Sequence, residues 1–411
     1  MKKKVNWLYG LLLLVVIVSC KKKNENPADP TPEKDIPGAV RTKHGEVVGT
    51  STKQIIGADG GSLEIPNRGV KLSVPAGALE TNIEFSIQEV EYLLPFGAIG
   101  KAYRFLPENV TFKKDIEITI PFGQLSNTSS KALSLAYQDN KGYWHMVKQP
   151  IVDEYKNTVT AKTRHFSDWG VVSTLYINNS GKEELSAGET TKLEIKFIPT
   201  KESPDNDDLL DIVVTLADTK VKKWYASATG AVISGGLTTS VTYKAPESIN
   251  TMGSTSIFAV VFVDGREITL ACSLMLLPEQ YCALKIASNY LTFDDIDVLS
   301  AQDMFINFYG NYKEYRFHLE APDHNVGKKP FGRDKALVST YINGKDYYTS
   351  AYTQCDGPEL YYTDGEIVVT EVKNGLVNGT ASGVLRLKTS GTSYCFGGEI
   401  SFSAKFRYKK P

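Results

Sequence analysis

Ile116-Glu117-Ile118-Thr119-Ile120 and Val70-Lys71-Leu72-Ser73-Val74 alternate apolar and polar side chains with a period of two. Successive side chains of a strand point to opposite faces, so this period predicts strands with one face buried and the other wet. The same reading extends outward from residue 39 over nearly the whole chain. Asn343-Gly344, between residues 337–342 and 345–348, is a hairpin signal, and Lys373-Asn374-Gly375, between 367–372 and 376–387, is a second. Both supply residues that tolerate the positive φ of a type I′ turn. Leu/Ala/Glu-rich helical stretches are scarce. The expected fold class is all-β, a tandem of three β-sandwich or barrel domains.

The chain has 411 residues, 42% of them apolar and 23% charged, which is a globular composition. Lys+Arg 46 against Asp+Glu 47 leaves a net charge of −1, so no global field recruits nucleic acid and no nucleic-acid partner is expected. Polar breaks at Asn178-Asn179-Ser180-Gly181 and Pro278-Glu279-Gln280 divide the body into residues 39–176, 177–279 and 280–411.

The N-terminus reads as an address. Lys2-Lys3-Lys4 precedes an apolar run over residues 8–18, and Ile17-Val18-Ser19-Cys20 closes it. A basic start, a short apolar core and a small residue before the cut describe a secretory signal over residues 1–19. The ending resembles the bacterial lipobox. That resemblance implies cleavage before Cys20 and acylation of its thiol, with the membrane as a partner through the lipid. Residues 20–38 are rich in Lys and Pro and poor in apolar side chains, as a solvated tether would be. Lys21 stands where some lipoproteins carry an inner-membrane retention Asp, so the outer membrane is the expected address, with the leaflet left open.

Four further cysteines are Cys272, Cys282, Cys355 and Cys395, and in an oxidising envelope they allow three pairings. Cys355 and Cys395 share the last segment and are the candidate disulfide. No CxxC occurs and the five histidines are scattered, so no metal and no cofactor is expected. Asp205, Asp207, Asp208 and Asp211 lie close together but lack the Gly and terminal Glu of a calcium loop, and read as a solvated acidic loop.

In the first domain an ordered series of motifs carries a resemblance. Gly60-Gly61-Ser62-Leu63 leads to Gly69-Val70-Lys71-Leu72-Ser73-Val74-Pro75-Ala76-Gly77-Ala78-Leu79. Tyr103-Arg104-Phe105-Leu106-Pro107, Ile118-Thr119-Ile120-Pro121-Phe122, Tyr143-Trp144 and His165-Phe166-Ser167-Asp168-Trp169 follow. The series resembles the ZU-five family, the β-sandwich of ankyrins and netrin receptors that recurs in bacterial envelope proteins. Leu185-Ser186-Ala187-Gly188-Glu189 and Val241-Thr242-Tyr243-Lys244-Ala245-Pro246 are similar to bacterial immunoglobulin-like repeats. The last segment resembles β-rich modules of Bacteroidota lipoproteins only loosely.

Chemistry has one sharp candidate. In a self-cutting death-domain protein a ZU-five-type domain breaks its own chain between the Phe and Ser of the tripeptide found here as His165-Phe166-Ser167. The resemblance implies a strained Phe166–Ser167 peptide, Ser167 Oγ as nucleophile and His165 as base. The alternative is a turn that these residues merely hold together. Sixteen aromatics between residues 281 and 362 could form a stacking surface for a glycan or protein partner, or could simply be strand residues. No GxSxG, HExxH or Walker motif is present. The expectation is a non-catalytic envelope lipoprotein with a binding or scaffolding role. Self-processing at 166–167 and glycan binding by the last domain are the alternatives.

Overall fold

The structure is a computed structural model, and it describes residues 36–202, 207–293, 295–310, 315–342, 346–353, 359–388 and 396–411. Strands and turns account for nearly all of them, with two short 3-10 segments at Ser130–Ala132 and Asp218–Lys220. The fold is all-β, built of several sheets.

Residues 39–173 supply two packed antiparallel sheets. The smaller runs in the order Gly61–Glu64, Lys71–Val74, Ile116–Pro121, Thr158–Thr163, Ile151–Asp153. The larger contains Thr52–Ile56, Ile83–Val90, Ala98–Leu106, Asp168–Ser173, Leu133–Gln138 and Trp144–Met146 in that order. The alternation read from the sequence decides which side chains meet between them. Leu72, Ile116, Ile118 and Ile120 are fully buried, and they share a core with Phe85, Phe105, Phe166 and Trp169.

The larger sheet does not stop at its own segment. Thr200–Lys201 and Asp208–Leu210 pair with each other, and Asp208 and Leu209 then pair with Met146 and His145. A piece of chain from beyond the polar break at residues 178–181 therefore covers an edge that would otherwise present unpaired N–H and C=O groups. The N-terminal strap joins at the same place, with Val40 N–H donating to Leu210 O at 2.8 Å and Trp144 N–H donating to Val40 O at 3.0 Å.

Residues 175–277 form a second two-sheet unit. Leu175–Asn179, Thr190–Phe197, Ser240–Lys244 and Val232–Ser234 face Glu184–Ser186, Arg266–Leu277, Gly253–Val263 and Val221–Ala226. Between them lie Leu185, Ile195, Tyr243, Ile257 and Leu270, all fully buried.

From residue 281 the strands make one long antiparallel sheet that curls towards closure. Its order is Asn289–Phe293, Tyr281–Ile286, Phe396–Lys409, Leu376–Lys388, Asp346–Thr349, Leu337–Ile342, Tyr315–Ala321, Met304–Gly310, Asp295–Val298. Gly310 marks the near-closure, because a Cβ there would lie 2.7 Å from the Thr292 carbonyl oxygen on the far end of the sheet. The interior is filled by Phe293, Phe308, Phe317, Phe406 and Leu319, so this near-barrel is a packed core. Its hairpin at Lys373–Leu376 has Asn374 at φ 52 and Gly375 at φ 76, the turn that the Asn-Gly pair specifies. The strands flanking Asn343-Gly344 pair antiparallel, Ile342 with Asp346, and the turn itself lies outside the described residues.

Candidate functional site

The peptide His165-Phe166-Ser167 links Thr158–Thr163 of the smaller sheet to Asp168–Ser173 of the larger. Each of its side chains is already engaged. Phe166 is 4% exposed and sits among Phe112, Phe85 and Phe105, with ring centroids at 5.2, 5.5 and 5.8 Å. The Ser167 hydroxyl is buried and donates to the Gln138 carbonyl, while the Ser167 carbonyl accepts from Phe105 N–H at 3.1 Å. His165 Nδ1 lies 3.0 Å from Thr163 Oγ1, and its Nε2 is buried without a hydrogen-bond partner among the described residues. Neither imidazole nitrogen is bonded to the Ser167 hydroxyl. None of the three residues has a positive φ.

The next residue, Asp168, organises a polar network that sequence reading did not single out. Its carboxylate is 2% exposed and receives a two-pronged contact from the guanidinium directly across the ladder. Arg104 Nε donates to Oδ1 at 2.7 Å and Nη2 to Oδ2 at 2.8 Å. Arg104 Nη2 also donates to Gly45 O at 3.0 Å, and His44 Nδ1 lies 3.4 Å from Asp168 Oδ2. On the other side Gln138 Nε2 reaches Thr42 O at 2.8 Å and Gly142 O at 3.1 Å. The network therefore straps residues 42–45 across the end of the sandwich. Two-pronged guanidinium–carboxylate contacts are strong and directional, and the contact here joins two strands of one sheet.

Burial governs the histidines. Desolvation, with His145 nearby, holds the His165 imidazole below its ordinary range, and desolvation does the same at His318 and His324. An unfolded chain would bind protons at these rings from about pH 6.5 downward, where the folded protein resists them. Stability from these groups is therefore fully present above about pH 6.5 and is lost as the pH falls towards the depressed folded values. We expect the melting temperature to fall between about pH 7.5 and 5.5, with a shallower fall in His165→Gln. A flat profile in the wild type would contradict this.

The other residues singled out from the sequence are more scattered. Cys20, Cys355 and Cys395 lie outside the described residues, as do Ser203 to Asn206. Cys272 and Cys282 are buried and unbridged, and burial pushes the Cys272 thiol up to about 11 and that of Cys282 up as well. They are inert thiols. Asp208 is 3.2 Å from Lys148 and Asp211 is 3.2 Å from Lys201, so these carboxylates have cationic partners. Among the described residues no group of three His, Cys, Asp or Glu is placed to hold a metal.

The aromatic stretch divides between the two faces of the near-barrel. Phe308 and Phe317 are fully buried inside, with Tyr315 and Tyr348 packed against that core. Phe305, Tyr309, Tyr341 and Tyr347 project to the outer face by alternation, where a groove of about 460 Å3 opens over four strands. Arg316 stacks over the Tyr341 ring at 4.5 Å, and Tyr341 meets Tyr347 at 4.7 Å. No protein-family model and no curated protein matches this chain.

Proposed function

We propose that this chain is a non-catalytic lipoprotein of the bacterial outer membrane, held by lipid on Cys20 and acting in binding or scaffolding. In this reading residues 20–38 are the tether, the first sandwich is ZU-five-type and the second unit is immunoglobulin-like. The observation that carries the non-catalytic part is the engagement of residues 165–167. The Ser167 hydroxyl is spent on the Gln138 carbonyl, and His165 is not bonded to it. A nucleophile needs its base within hydrogen-bond reach. Self-cleavage at Phe166–Ser167 would require both side chains to leave these partners.

The anchor is the part most open to direct test. A single acyl chain binds a bilayer only marginally, whereas two or three hold it firmly. Cys20→Ala is expected to abolish incorporation of labelled palmitate and to shift the protein from the membrane pellet to the soluble fraction. Unchanged partition of that variant would refute lipid anchoring.

A further inference from the structure

On the outer face of the near-barrel, register places three rows of side chains across four neighbouring strands. The middle row is Asn307, His318, Ser339 and Thr349. The row on one side holds Phe305, Glu320 and Leu337, and the row on the other holds Tyr309, Arg316, Tyr341 and Tyr347. Rows on one face are two residues apart, roughly 7 Å along the strand, so the result is a polar floor between two partly aromatic walls.

The floor has bonding capacity left over. Asn307 and Ser339 are each only 8% exposed. One end of the Asn307 amide meets His318 Nδ1 at 3.1 Å, while its other end and the Ser339 hydroxyl bond no protein group among the described residues. Neither group is sealed off as an unsatisfied buried atom, and both residues line the groove, so both can bond a ligand there. The volume of about 460 Å3 falls in the range of small-ligand sites. Arg316 and Glu320 contribute one charge of each sign, which gives no net preference for an ionic ligand.

We propose that this groove binds one or two pyranose rings of a neutral glycan, with sugar hydroxyls bonding Asn307 and Ser339 and a C–H face resting on Tyr347. The chemistry follows from the ligand's two characters. A pyranose carries a rim of hydroxyls that satisfies a polar floor and apolar faces that pack on rings. The inference rests on the reading of the chain as a binding protein and gives that reading a ligand class.

The test uses the full mature chain in detergent, titrated calorimetrically with cellohexaose, mannohexaose, maltohexaose and hexa-N-acetylchitohexaose. At least one should bind with a Kd of about 1 mM or tighter. Ser339→Ala removes a hydroxyl that bonds nothing among the described residues, so its melting temperature should hold while binding weakens roughly fivefold. Tyr347→Ala should weaken binding about tenfold. Tyr290→Ala, an exposed ring outside the groove, should change nothing. The proposal is overturned if none of the four sugars binds, or if binding survives unchanged in both groove variants. It is also overturned if only an acidic polymer such as polygalacturonate binds. Any of these three failures with an intact, membrane-held chain removes the groove alone, whereas loss of anchoring or a cut chain removes the envelope reading and leaves the groove standing.

Discussion

Replacing Arg104 by methionine is expected to destabilise the protein by about 3 kcal/mol, even though the new side chain is of similar length. The cause is what the substitution leaves behind. Asp168 is 2% exposed, and both of its oxygens take their short contacts from Arg104. Without the guanidinium a carboxylate stays out of water, with His44 at 3.4 Å as its remaining side-chain partner among the described residues. Breaking such a pair from one side costs about 3–5 kcal/mol, and the neighbouring, partly exposed His44 places this case at the lower end. The double variant Arg104→Met with Asp168→Leu should recover most of the loss, because apolar pairs of similar volume replace buried ion pairs with little penalty. Chemical denaturation of the four proteins of this cycle measures both quantities. Equal stability of wild type and Arg104→Met would show that the pair is not structural.

Phe166→Ala is expected to cost about 3–5 kcal/mol, the usual range for deleting a buried ring and leaving a cavity. Three phenylalanines surround the ring within 6 Å between centroids, and they come from different strands and loops of the sandwich. They cannot all close in without breaking ladder register, so the hole should persist. Phe166→Leu keeps much of the volume and should cost less than about 1.5 kcal/mol. The midpoint of guanidinium unfolding should move while its slope stays constant. A loss below 1 kcal/mol in Phe166→Ala would mean that the ring is not part of the core.

Local chemistry was legible in the sequence, and long-range chemistry was not. Alternation at residues 70–74 and 116–120 named the buried face because period two is a property of each strand alone. Asn374-Gly375 announced its turn for the same reason, since two positive φ values are a local demand. The Arg104–Asp168 contact joins residues far apart in the chain, and it exists only because Ala98–Leu106 and Asp168–Ser173 are neighbours in one register. The strand pair Thr200–Lys201 and Asp208–Leu210 reads locally as part of the second segment, yet its pairing with Trp144–Met146 is decided by which edge lies open. The groove was half visible. Phe305, Asn307 and Tyr309 alternate with Ile306 and Phe308, so the sequence separates two faces. Only the curl of the sheet says which face is inside. Gln138, which holds the N-terminal strap, carries no local signal at all.

In the proposed function, residues 165–167 hold the sandwich together without cutting it. The mass of the purified protein under denaturing conditions tests this most directly, measured for the wild type and for Ser167→Ala. A structural turn predicts a single intact species in both, with Ser167→Ala less stable by about 1–3 kcal/mol for the lost buried hydrogen bond. Two wild-type fragments, one beginning at Ser167 and both absent from Ser167→Ala, would contradict the account and make His165, Phe166 and Ser167 an active site.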